Sequence, residues 1–259
     1  HSFDHDLKIK LYSLYHKRRE PTEEMLREVD SIIIDLQIVG CRVYTYKWTI
    51  VNCLKAAKEF HKKVIILDRP NPLGGIECRG RVLENNAKSF VGMYPIPMQH
   101  GLTIGELGSY FNNDIDADLE IIPMINYDCH KLWNEYSRRW CFTSPNLPNF
   151  DSVFLYPGMV IFEGTNISEG RGTTLPFQLI GAPYIKSGKE IIDRVKEDYK
   201  IKTNFFHLRP ISFRPVFGKW SQKLCHGVHI TVAHYKNNPS SFTLALCLLK
   251  SIIDSCKKD

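Results

Sequence analysis

The sequence has no CxxC pair, no GxGxxG stretch, no internal repeat and no low-complexity tract. Its eight cysteines (41, 53, 78, 129, 141, 225, 247 and 256) follow no regular spacing. That excludes a zinc ribbon and a disulfide framework, and it suggests free thiols in a reducing location. Cys247, inside an apolar run, reads as a small hydrophobe. Without a glycine fingerprint after a strand, dinucleotide binding has no support. No run approaches the roughly 20 apolar residues of a membrane span, and a chain that starts at His1 gives no reading of a leader or a compartment. The net charge is +6, but the basic residues are dispersed; the densest group, Lys17-Arg18-Arg19, is followed at once by Glu20, Glu23 and Glu24. No nucleic-acid track is expected from that, whereas a mild positive field suits a small anionic ligand.

What is present describes an α/β protein. With 259 residues, 43% of them hydrophobic, the chain can bury one large core or two smaller ones. Ser31 to Asp35 and Lys63 to Asp68 read as apolar strands, and Trp48 to His61 carries apolar residues at helical spacing. Strand, helix, strand in this form is a right-handed parallel βαβ unit. Both strands end in aspartate, and parallel sheets bind ligands at their carboxyl ends; the alternative is that Asp35 and Asp68 each cap a turn. Thr22 is expected to cap a helix, and Thr103 with Glu106 forms a capping box, leaving His100 just ahead of it as a candidate ligand contact. Leu119 to Met124 reads as a third strand. Gly188 to Tyr199 and Ser241 to Lys257 read as helices, and residues 203–234 as strands broken at Pro210 and Pro215. On a strand, the odd spacings of His226, His229 and His234 send neighbouring rings to opposite faces, so no shared metal ion and no cofactor are expected.

One segment stands apart. From Phe162 to Thr174, three glycines punctuate hydroxyl, amide, carboxylate and guanidinium groups with almost nothing apolar between them. Following the apolar run Val153 to Phe162, read as a strand, it is expected to be a strand-end loop that offers many hydrogen-bonding groups to a hydroxyl-rich ligand; the alternative is a solvated turn.

Several of these stretches resemble a known family. Ser13-Leu14-Tyr15, Arg19-Glu20-Pro21-Thr22, Asp35-Leu36-Gln37, Val39-Gly40-Cys41-Arg42-Val43-Tyr44-Thr45-Tyr46, Leu67-Asp68-Arg69-Pro70-Asn71-Pro72-Leu73-Gly74-Gly75, Gly92-Met93-Tyr94-Pro95-Ile96-Pro97, His100-Gly101-Leu102-Thr103-Ile104-Gly105-Glu106, Ser144-Pro145-Asn146 and the glycine-rich segment occur in the order found in the bacterial exo-β-N-acetylmuramidases of the NamZ/YbbC type. The resemblance runs from about residue 11 to 232. It implies a Rossmann-like α/β domain with helices on both faces of a parallel sheet (1–150), a smaller α/β subdomain (151–259), and a site in the cleft between them. The implied substrate is a peptidoglycan-derived muramyl sugar.

The resemblance also implies site residues. Asp35, Gln37, Arg42, Tyr44, Arg69, Asn71, His100, Asn146, Asn166 and Arg171 would contact substrate, and Glu169, Glu163 and Asp68 are the candidate catalytic carboxylates. Hydrolysis of a glycoside takes a protonated acid and a second group that supports an oxocarbenium-like centre. Arg171 or Arg69 would hold the lactyl carboxylate in a bidentate pair; alternatively Arg171 makes a salt bridge to Glu163 or Glu169. The sequence departs from the family at Ile38, where an acidic residue is usual, and at His16, where glycine is usual. The family's Ser-Pro-Glu-His-Gly motif, whose glutamate is a candidate acid, is absent, which implies a middle portion of such an enzyme or a reduced homologue. The competing expectation is a non-catalytic binder of muramyl ligands.

Overall fold

A computed structural model describes residues 2–15, 18–197, 205–235 and 239–256. His16, Lys17, the end of the expected helix at Asp198 and Tyr199, the start of the 203–234 region and Lys257 lie outside them. The chain divides into two compact units, His1–Ile76 with Arg81–His130, and Glu77–Gly80 with Lys131–Asp259.

The first unit contains the expected βαβ element. After a short hairpin of β1 (Ser2–Asp4) and β2 (Ile9–Leu11) and a single turn α1 (Glu23–Leu26), β3 (Ser31–Ile34) leads through α2 (Tyr46–Glu59) to β4 (Lys63–Leu67), and α3 (Ile104–Ile115) leads to β5 (Leu119–Ile122). The sheet order is β3-β4-β5 and both pairings are parallel. Thr103 and Glu106 make the capping box of α3. Thr22 occupies the cap position of α1, but its hydroxyl makes no capping bond. Ile34, Val64 and Ile66 from the sheet pack with Trp48, Val51 and Leu54 of α2 and Leu107 and Phe111 of α3 in one core. Burial alternates along β4, so the continuous apolar runs that mark these strands serve a sheet buried more deeply on one face than on the other.

The second unit is a three-stranded antiparallel sheet with helices. β6 (Leu179–Ala182), β7 (Phe206–Phe213) and β8 (Cys225–Val232) pair in the order β6-β8-β7, accompanied by α4 (Phe150–Met159), α5 (Gly188–Glu197) and α6 (Ser241–Cys256). Two expectations are corrected here. Val153 to Phe162 is not a strand: it is most of α4 followed by a 3-10 helix, Val160–Gly164. The Asn149 side chain accepts the Ser152 N–H at 2.9 Å and starts that helix. Residues Ser152 to Met159 are all buried, so the run carries no periodicity that separates a buried helix from a buried strand. Pro210 is not a break but lies inside β7 opposite Val228, which is tolerated because β7 is an edge strand.

None of the eight cysteines, all of them among the described residues, is joined in a disulfide. Among the described residues no helix is long and apolar enough to cross a membrane.

Candidate functional site

In the first unit, the polar residues gather at the carboxyl ends of β3 and β4. Asp35 directly follows β3, and its Oδ1 receives Arg69 Nε at 2.5 Å. That hydrogen bond and the guanidinium charge hold the Asp35 carboxyl below its ordinary range. Asp68 directly follows β4 and is satisfied at both oxygens. Oδ1 accepts the N–H groups of Arg69 at 2.9 Å and Gly105 at 2.7 Å, and Oδ2 accepts Thr103 Oγ1 at 3.1 Å. Its carboxylate therefore sits on the amino end of α3, where the orphan N–H groups and the helix dipole favour a negative charge.

The loop after Asp68 is braced from within. Buried Asn71 donates to Leu102 O at 3.1 Å and accepts from Leu73 N at 3.0 Å. Gln37 Nε2 donates to Ile38 O at 2.8 Å and Pro70 O at 2.9 Å, while its buried Oε1 has no hydrogen-bond partner among the described residues. His100 is only 2% exposed and its Nδ1 accepts the Leu102 N–H at 3.2 Å, which assigns the proton of the neutral ring to Nε2. Burial, with the Lys47 charge second, keeps its pKa well below the ordinary value. Arg42 Nη1 donates to Arg81 O at 2.8 Å and Ile96 O at 2.7 Å, and burial lowers its pKa. The Tyr44 ring is buried against Tyr46, with centroids 4.9 Å apart.

Sequence reasoning passed over Lys47, which is fully buried and donates to the carbonyls of Cys41 at 2.5 Å and Tyr44 at 2.9 Å. Burial pulls its pKa down to about 7. One lysine on the amphipathic helix α2 gives no signal in the sequence that it turns inward to hold the loop before its own helix.

The second unit holds a charged cluster built on the glycine-rich segment. Glu163, on the 3-10 helix, receives Arg171 Nη2 at 2.5 Å. Glu169 is 4% exposed; its Oε2 receives Lys219 Nζ at 3.1 Å and its Oε1 lies 3.8 Å from Arg171 Nε. Arg171 thus joins both glutamates, with its guanidinium 5.4 Å from the Phe177 ring centroid. The expected alternative for Arg171, a salt bridge to these glutamates, is present. Desolvation raises the Glu163 pKa, and Arg171 opposes the rise.

Gly172 is what lets the segment fold this way. Its φ is +82° and a Cβ there would lie 2.3 Å from Phe217 O, so only glycine admits the left-handed turn and the close approach together. Val216 N–H closes the contact on Gly172 O at 2.8 Å. The partner loop, Pro215 to Lys223, supplies residues that sequence reasoning missed. Lys219 Nζ donates to Phe162 O at 2.6 Å and Ile167 O at 3.1 Å as well as to Glu169. Trp220 Nε1 donates to Asn166 O at 2.5 Å, and Tyr184 OH donates to Asn166 Oδ1 at 2.7 Å. A lysine and a tryptophan beside Gly218 between two strands were the available signal. Asn146 lies on the Ser144–Leu147 turn, its N–H on Ser144 Oγ at 3.3 Å.

His226 and His229 do not converge. The first pairs with Ser212 Oγ at 2.8 Å and the second with Arg209 Nη2 at 3.0 Å.

The chain is 43% identical over 253 residues to the peptidoglycan β-N-acetylmuramidase NamZ of Bacillus subtilis, a match covering 97% of this chain and 60% of that protein. The chain therefore spans about three fifths of the length of that relative. Two crystal structures of DUF1343 family proteins from Bacteroides fragilis are similar to it. One has a TM-score of 0.90 and 29% identity over 99% of this chain and 67% of its own; the other has 0.65 and 34% over 90% and 59%. The family model for the N-terminal part of exo-β-N-acetylmuramidase NamZ matches residues 1–151, and that for the C-terminal part matches residues 154–259. With both halves matched, the chain belongs to the NamZ exo-β-N-acetylmuramidase family.

Proposed function

We propose that the protein hydrolyses the β-glycosidic bond of a terminal N-acetylmuramic acid in peptidoglycan fragments, with a domain boundary near residue 150. The observation that carries this reading is the Glu163–Arg171–Glu169–Lys219 cluster. Glu163 has about a third of its side chain exposed and a carboxyl whose pKa is raised by desolvation, so it can reach a ligand and retain a proton above the usual glutamate range. That is what protonation of a leaving oxygen requires. Glu169 is too buried to touch a sugar; held between Lys219 and Arg171, it positions the arginine and thereby Glu163.

The carboxylates of Asp68 and Asp35 have different work. Asp68, with both oxygens engaged at the head of α3, is a positioning residue for the loop that carries Arg69 and Asn71. Arg69 is the better receptor for a ligand carboxylate than Arg171. Its pair with Asp35 is exposed at both side chains, and exposed pairs are worth only about 0–1 kcal/mol, so the guanidinium can exchange partners. Arg171 is committed to two carboxylates.

The test is turnover of a chromogenic β-N-acetylmuramide. Glu163→Gln is expected to lower kcat by about 100-fold or more, the usual range for a lost general acid, with KM little changed. Full activity in Glu163→Gln would remove this residue from the chemistry, and no turnover of muramides by the wild-type protein would remove the function.

A further inference from the structure

The loop that leaves β5 brings three different metal-binding atoms together on residues not assigned above. Asp128, Cys129 and His130 are consecutive, and their ligand atoms all lie within 4.8 Å of one another. Asp128 Oδ1 is 3.1 Å from His130 Nδ1, and Cys129 Sγ is 3.7 Å from the same nitrogen. The shared nitrogen is the informative point. A nucleophile relay uses the two ring nitrogens separately, one toward the thiol and the other toward the carboxylate. Here both groups converge on Nδ1, as ligands of one ion do.

The two separations at His130 Nδ1 suit a small tetrahedral cation, and the third, between Asp128 and Cys129, lies within 4.8 Å. Bond lengths of about 2.0 Å to nitrogen or oxygen and about 2.3 Å to sulfur set the ligand–ligand edges at about 3.3 Å for N–O and about 3.6 Å for N–S. The observed 3.1 and 3.7 Å are close to both. The backbone holds the trio in place. His130 N–H donates to Asp128 Oδ1 at 3.0 Å, and Gly75 N–H donates to Cys129 O at 2.7 Å. The Asp128 and His130 side chains are 42% and 76% exposed, so an ion can arrive without displacing the chain.

We propose that Asp128, Cys129 and His130 bind one thiophilic divalent cation of the zinc class, with water completing the tetrahedron. On binding, the Cys129 thiol releases its proton to solvent and the thiolate forms the sulfur–metal bond. His130 exchanges its Nδ1 proton through solvent for one on Nε2 and gives the freed Nδ1 lone pair, and Asp128, released from that hydrogen bond, gives one carboxylate oxygen. The ion fastens the loop after β5 next to the Gly74–Gly75 turn.

Cobalt(II), a spectroscopic stand-in for zinc, tests this in the protein kept reduced by a non-thiol reductant. The expected result is a thiolate-to-cobalt charge-transfer band that saturates at one equivalent, is displaced by zinc(II), is lost in Cys129→Ser and is weakened in His130→Ala and Asp128→Asn. Zinc(II) should also raise the melting temperature of the wild type and not that of Cys129→Ser, with circular dichroism confirming that each variant folds. Absence of the band overturns the proposal. So does a band that persists in Cys129→Ser, since Cys78, Cys141 and Cys256 are also exposed and would then be the ligands.

Discussion

Removing Lys219 should do more damage than its position in a surface loop suggests. Its ammonium faces three acceptors: Glu169 Oε2 at 3.1 Å, Phe162 O at 2.6 Å and Ile167 O at 3.1 Å. Glu169 is almost fully buried, while the Lys219 side chain is 28% exposed. In Lys219→Ala the carboxylate keeps, among the described residues, only the guanidinium of Arg171, 3.8 Å away. Breaking a fully buried pair costs about 3–5 kcal/mol; solvent reaching the lysine side of this one reduces that to about 2–4 kcal/mol. Urea denaturation should show the loss as a lower midpoint at unchanged slope, and the melting temperature should fall by roughly 5–12 °C. The double variant Lys219→Met with Glu169→Gln removes the stranded charge and should cost less than Lys219→Ala alone. A Lys219→Ala protein within about 0.5 kcal/mol of wild type, below the cost of even one unsatisfied buried acceptor, would refute the argument that this lysine holds the cluster.

Three further outcomes follow from particular residues. Gly172→Ala, which places a Cβ 2.3 Å from Phe217 O at φ +82°, should destabilise by about 2–3 kcal/mol, combining left-handed strain with the backbone shift, as read by thermal unfolding. Thr103→Ala removes the cap of α3 and a donor to Asp68, and should cost about 1–2 kcal/mol in the same measurement. Lys47 titrates near 7 in the folded protein against an ordinary 10.5. The unfolded chain therefore binds the extra proton between those values, so stability should rise with pH across that window, and the slope should flatten in Lys47→Met.

Much of the first unit was legible because its signals are local. Two apolar strands with a helix between them, each ending in aspartate, need only periodicity, and Thr103 with Glu106 needs only a four-residue motif. The second unit was harder to read for physical reasons. The run from Val153 is apolar on every side, so neither period shows, and only the cap at Asn149 distinguishes helix from strand. Pro210 looked like a break because nothing in the sequence says that β7 is an edge. Glu163, Glu169 and Arg171 were singled out through the resemblance that the glycine-rich segment carries. Lys219 and Trp220 were not, because their bonds to Glu169 and Asn166 are made across about 50 residues of chain. Lys47 was missed for the opposite reason: its partners are next to it, but a lysine on a helix ordinarily points outward.

The central claim is that Glu163, raised by desolvation and held by Arg171, is the proton-bearing carboxyl of a muramidase. The most direct measurement is the pH profile of kcat/KM for a chromogenic β-N-acetylmuramide in wild type and in Glu163→Gln. Since the raised pKa keeps the carboxyl protonated above the ordinary glutamate value, the wild-type rate should hold through mildly acidic pH and fall only as pH rises through that pKa. The residual rate of Glu163→Gln should lack this descending limb. An unchanged descending limb in Glu163→Gln would contradict the account.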